Sequence, residues 1–340
     1  MNAQATETKV KRETKNKIRV DFERTPLLQR LKAKYLTGFF LQRVVWAIFR
    51  YVLLIGIAYI ILLPFFTKIM SSFMSPEDFV DATVKLIPKY PTLDTYKYIF
   101  LENNYLEALW HTVLLSLVCA LLQTFMCAVI AYGFAKFKFK GNGLLFAMVI
   151  FTMVVPHQTV RLSMYMQFRY FDLYGLIGLI TNGGSIDFTN SFWPLAILSL
   201  TGLAFKNGLY IFMLRQFYRG VPDELEESAY VDGSGVLRTF IQIILPLSVP
   251  MMITVFLFAF SWQWTDSFYT NMFFTKTDYY LMPDIVAIPD SLRTSYAATD
   301  TYNAAIRNTC GLMIIAPLVI IYLFCQRYLI QGIERSGIVG

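Results

Sequence analysis

Six predominantly apolar stretches, at 44–66, 109–134, 144–165, 192–214, 247–268 and 305–325, constrain this chain more than any other feature. Each comes close to or exceeds the roughly twenty residues that a helix needs to cross a bilayer core. Hydrophobic residues make up 56% of the chain and charged ones 16%, with a mean hydropathy of +0.49, so lipid must be the solvent for much of its surface. The predicted fold class is an all-α polytopic membrane protein with six transmembrane helices.

The net charge of +7 raises the question of nucleic acid, and its distribution answers it. Residues 1–43 carry eleven Lys and Arg against four acids, a surplus of seven that equals the charge of the whole chain. A basic segment abutting the first apolar run reads as a cytoplasmic flank attracted to anionic lipid headgroups, so membrane lipid is expected as a partner and nucleic acid is not. Its start, to about Lys17, reads as disordered, and the stretch from Pro26 as a helix on the inner membrane surface or as an extension of the first span. More than forty mostly polar residues precede the first apolar run, which argues against a cleaved signal peptide. The other Lys/Arg-rich connections, Lys136 to Lys140 and Arg215 to Arg238, fall on the same side as both termini, and the positive-inside rule makes that side cytoplasmic. The expected division is a basic extension at 1–43, a six-helix domain at 44–325 and a tail at 326–340. Cys119, Cys127, Cys310 and Cys325 all lie in apolar runs without C-x-x-C spacing, so neither a metal site nor a disulfide framework is expected.

One polar, acid-rich interruption stands out, GVPDELEESAYVDGSGVLRTFIQIILPLSVP at 220–250. Pro222 suits a first helical turn, and Asp223 and Glu224 would lie at the positive end of that helix's dipole. Gly233 and Gly235 bracket Ser234, which predicts the end of one short helix, a cap by Ser234, and a second helix over 236–245 that Pro246 closes or kinks.

Within this segment Glu227, Ser228 and Ala229 are followed after three residues by Gly233 and after nine more by Ile243, Ile244, Leu245 and Pro246. That spacing resembles the E-A-A signature of ABC importer permeases, with Ser228 where the pattern has Ala. PTLDTYKYIF, AYGFAKFKFKG, MVVPHQTVRLSMY and FSWQWTDSFY also resemble stretches of carbohydrate-uptake permeases. The ending QGIERSGIVG looks like the tail of the second, smaller permease of maltose-type importers, with Val339 at a position usually held by lysine. The resemblance implies a type I importer permease fold whose loop at 220–246 couples to a cytoplasmic ATPase through Glu224, Glu227, Ser228, Ala229, Asp232 and Gly233. It also implies a second permease subunit, two ATPase subunits and an extracytoplasmic binding protein as partners. The loop at 269–304 occupies the position that probes the binding protein in that family.

No G-x-x-x-x-G-K-[ST] loop occurs, so no catalytic role and no cofactor are expected here, and a partner subunit would bind ATP and magnesium. A pump divided in this way needs a rigid mechanical link. Polar side chains within apolar runs are the candidates for the substrate path, with hydrogen bonding between helices as the alternative. They are Gln123, His157, Gln158, Lys206, Asn207, Gln263, Trp264 and Asp266. Lys206 falls deep inside the fourth run, where a charge must pair, snorkel or face an anionic group such as a uronate. The aromatic pair Trp262 and Trp264 suits either an interfacial belt and helix packing, or stacking on sugar faces. An importer permease is the expected function, with an ion-gradient transporter as the alternative.

Overall fold

The computed structural model describes residues 38–180, 184–204, 206–275, 280–293 and 299–337. The basic extension lies outside them up to residue 37, and with it the expected disordered start and most of the stretch from Pro26, whose last residues, 38–45, are continuous with the first apolar helix. Among the described residues the secondary structure is helical, apart from one isolated antiparallel bridge between Phe171 and Ile186. The chain divides into two compact units, residues 1–65 and 66–340.

The described part of the first unit is one helix, α1 (Gly38–Ser71), which runs on past the unit boundary. Its most apolar window has a mean hydropathy of 2.3 and buries no residue within the chain. A helix apolar on every side needs an apolar medium around it, which water does not provide.

The second unit is organised around α2 (Tyr105–Lys136). One row of its buried face recurs at four-residue spacing: Ala108, Thr112, Ser116, Ala120, Thr124 and Ala128. Small side chains on one face allow neighbouring helices to approach closely, the packing that membrane helices rely on. α3 (Asn142–Val154) comes next, and the break expected at Pro156 is present. Val155 is extended, as a residue before proline prefers, and the chain turns by 96° into the 3-10 turn at His157–Val160 and α4 (Arg161–Arg169).

The fourth apolar run is not a continuous helix, contrary to expectation. α5 (Trp193–Leu200) ends where Gly202 takes φ +74°, and the Leu203 N–H closes back on the Leu198 carbonyl at 3.0 Å, as at a glycine-terminated helix end. Hydropathy continues through the break, but the backbone does not. α6 (Asn207–Arg219) starts afresh, with Lys206 at φ +69° before it. Lys206 therefore sits in a helical break rather than inside a helix.

α7 (Glu224–Val231) is the short helix expected from the polar segment. Gly233, at φ +83°, ends it, and the Ser234 N–H reaches the Ala229 carbonyl at 2.9 Å. Ser234 does not cap the second helix, because Gly235 holds the cap position with no side-chain bond. That helix runs through Pro246 to Leu247, widening to a π-turn at Phe240–Ile244, and the bend of 76° comes at Ser248. α8 (Val249–Trp264), α9 (Phe268–Phe273) and α10 (Thr299–Gly337) complete the unit, and α10 carries helix through most of the expected tail. Among the described residues three helices are long and apolar enough to cross a membrane, or up to five if each bent pair counts as one span.

α2 packs against α5, α6 and α8, and α8 packs in turn on α10. Trp264 is fully buried and donates its indole N–H to the Ile314 carbonyl at 2.9 Å, which ties α8 to α10. Cys119, Cys127 and Cys310 are buried free thiols, and Cys325 is partly buried.

Candidate functional site

Two regions of the second unit gather the residues singled out from sequence. The first is α7 and its flanks. Asp223 occupies the N-cap, and Glu224, Glu226 and Glu227 fill the first turn, where the helix dipole favours negative charge. Glu224, Glu227, Ser228, Asp232 and Gly233 are exposed, whereas Ala229 packs inward. The three small residues of the signature, Ser228, Ala229 and Gly233, are thus divided between the surface and the core. A Cβ at Gly233 would meet nothing within 4 Å, so glycine is required there by φ alone. Val231 is 87% exposed and Leu237 71%, beside the row of acids. An apolar group on a polar segment outside the apolar runs is the kind of surface that a protein partner covers.

A tie that sequence reasoning missed holds α7 to the end of α2. The Lys136 ammonium donates to the Val221 carbonyl at 2.7 Å and to an Asp223 carboxylate oxygen at 2.6 Å. Its side chain is only 7% exposed, while that of Asp223 is 78% exposed. The Lys136 hydrogen bond holds the Asp223 carboxyl below its ordinary range, and the lysine charge adds to the effect. Glu226 behaves in the opposite way: burial raises its carboxyl above the ordinary range, against the attraction of Lys136. The sequence signal for Lys136 was legible only as one lysine of a basic loop.

The second region is a cavity of about 390 Å³ where the helical breaks meet. His157, Gln158, Lys206 and Asp266 line it, together with Thr152 and Tyr269. His157 Nδ1 lies 2.8 Å from the Tyr269 hydroxyl. The Lys206 ammonium stands 4.7 Å from the centre of the Trp262 ring, in cation–π range. Asp266 accepts the backbone N–H groups of Tyr269 and Thr270, each at 3.0 Å, so its charge caps the start of α9. A small adjoining void shares Asp266 and Tyr269 with the cavity and adds Gln123, Ser199 and Gln263. There the Gln123 amide donates to the Ser199 hydroxyl at 3.3 Å.

Six of the eight path candidates therefore converge on the two adjoining voids. Asn207 is buried outside them, and Trp264 serves helix packing. Tyr269 and Ser199 join the site from residues that sequence had not placed on the path, and Trp262, offered from sequence for a belt or for sugar stacking, lines the small void. Among the described residues no cluster of three or more His, Cys, Asp or Glu forms a metal site.

Comparison with known proteins places this geometry. The model of the family described as binding-protein-dependent transport system inner membrane component matches residues 124–335, more than half of the chain. The galactooligosaccharides transport system permease protein GanQ of Bacillus subtilis is 26% identical over 302 residues, covering 88% of this chain and 98% of that protein. The polygalacturonan/rhamnogalacturonan transport system permease protein YtcP of the same organism is also 26% identical, covering 85% and 96%. Among solved structures, a bacterial ABC transporter involved in the import of the acidic polysaccharide alginate has a chain matching with TM-score 0.63 at 18% identity. That match covers 84% of this chain and 97% of the other, and it establishes a shared fold.

Proposed function

Because the chain belongs to the family of binding-protein-dependent transport system inner membrane components, we propose that it is a permease subunit of an ATP-driven importer of oligosaccharides. The subunit is a non-catalytic membrane component. It forms half of the translocation path, paired with a second permease, and recruits two ATPase subunits and an extracytoplasmic binding protein. ATP and magnesium bind the ATPases, not this chain. The six apolar runs are six spans of a bacterial or archaeal cytoplasmic membrane with both termini inside, the fourth being a broken span like the third. The carbohydrate class is supported by the named substrates of its relatives.

The observation that carries the coupling role is the surface of α7. Acids and exposed apolar side chains stand together on a segment whose backbone a left-handed glycine fixes. Glu227, exposed on the first turn, is placed to bond an arginine or backbone N–H of the ATPase, and Val231 and Leu237 supply apolar contact. The cavity at the helical breaks forms this subunit's share of the path, opening to one side and then the other as the ATPases close and reopen.

The test is reconstitution of the chain with its native partners in liposomes. Uptake of a labelled oligosaccharide should require ATP on the ATPase side and stop when the ATPase is omitted. Uptake driven by an ion gradient without the ATPase would reject the reading.

A further inference from the structure

Covalently, α7 continues into α6 on one side and the 236–247 helix on the other. Its tie to α2 is different, since it joins residues more than eighty positions apart. Resting on the reading of α7 as the coupling helix, we infer that Lys136 and Tyr132 form a two-point joint with Asp223 and Glu226. Through this joint ATPase motion reaches α2, and its second point tightens when the ATPase moves α7.

The first point is made. An ion pair between exposed side chains contributes little, but Lys136 is nearly enclosed and also holds the Val221 carbonyl, so losing its partners would strand a buried charge. The second point lies one turn away on each helix: Tyr132 is four residues before Lys136, and Glu226 three after Asp223. Both are buried, and the Tyr132 hydroxyl stands near enough to the Glu226 carboxyl to oppose the rise that burial causes there, yet neither this hydroxyl nor one Glu226 carboxylate oxygen makes a well-aligned hydrogen bond. Two buried, complementary groups whose contact is not yet a well-aligned hydrogen bond gain by tightening it. The Tyr132 ring is held against Phe240 with centroids 4.7 Å apart, so its hydroxyl stays aimed while α7 shifts. Phe240 begins the π-turn, a wide turn often found at functional positions in helices.

One contact alone is a pivot. Two contacts about 5.4 Å apart along a helix also fix its direction, so a push on α7 becomes a tilt of α2. α5, α6 and α8 all pack on α2, which is the route from the coupling helix to the cavity.

The experiment uses the full complex with its native partners and a spectroscopic label at Phe125→Cys, a position exposed on α2. A non-hydrolysable ATP analogue is the probe, so no substrate need be known. The label should respond to the analogue in the parent complex and with Lys136→Arg. The response should be lost with Lys136→Met and fall severalfold with Tyr132→Phe, while the ATPase still co-purifies in each case. A full response in Lys136→Met, no response in the parent, or loss of the ATPase from Lys136→Met overturns the joint. A full response in Tyr132→Phe overturns its second point. Gly233→Trp separates the two levels, because an unchanged response there sinks the coupling reading itself.

Discussion

The segment around α7 and the cavity invert each other's pattern. In the segment, apolar Val231 and Leu237 stand in the open while the Lys136 ammonium is enclosed. In the cavity, polar and charged side chains turn inward between apolar helices, and the outer surfaces of those helices are apolar. On the proposed reading, the surface that exposes apolar groups beside charge is the one another protein would cover, and the interior that keeps polar groups around open volume is the one a polar substrate would pass. Under the proposed function, the difference separates a surface completed by the ATPase, where the motor's work would enter, from a cavity inside the membrane unit, where it would be used.

The largest effect that would sharpen this contrast is at Gly233. Gly233→Trp should abolish co-purification of the ATPase, whereas Gly233→Asn, which accepts a left-handed backbone, should retain much of it. Equal retention by the two variants would mean that the corner makes no close contact. Next comes the exposed apolar pair. Val231→Asp with Leu237→Asp should weaken ATPase binding on the order of tenfold or more and leave thermal stability unchanged, since both side chains are exposed. A fall in melting temperature would return these residues to the chain's own packing.

The cavity should answer to different chemistry. Lys206→Met should slow uptake of a carboxylated oligosaccharide relative to a neutral one by about fivefold, the loss of one charge-assisted contact. Equal effects on the two sugars would leave Lys206 with a packing role on Trp262. ATPase co-purification should not change, which is what separates the cavity from the segment.

The smallest effect concerns pH. Burial raises the Glu226 carboxyl in the folded protein, so its contribution is fully present below the unfolded glutamate pKa and is lost as pH rises through the folded value. Glu226→Gln should therefore match the parent's melting temperature in mild acid and exceed it increasingly toward neutrality. Asp223 has the opposite sign. Its carboxyl is depressed by Lys136, so the tie persists at neutral pH and fails only as pH falls through the lowered folded value. A Glu226→Gln gain that is the same at every pH would contradict the burial argument.

How much was legible depends on the range of the interactions. α7 and its glycine corner were readable because caps, dipole and left-handed glycine act over a few consecutive residues. The break at Pro156 was readable for the same reason, and Gly202 offered the same local signal, masked by unbroken hydropathy. The convergence of Gln123, His157, Lys206 and Asp266 was readable only as a set of polar residues out of place. Packing among α2, the helical breaks and the start of α9 brings them together. Asn207 and Trp264 belonged to the same set by composition, and the fold assigned them elsewhere. The inward turn of Ala229 and the Lys136 tie depend on where α2 ends in space, which no spacing within 220–250 encodes.

The most direct test of the central claim labels Val231→Cys with a membrane-impermeant thiol reagent in sealed vesicles of known orientation. The side chain should react in inside-out vesicles and be protected when the purified ATPase subunit is added. Reaction in right-side-out vesicles, or labelling that the ATPase leaves unchanged, would contradict it.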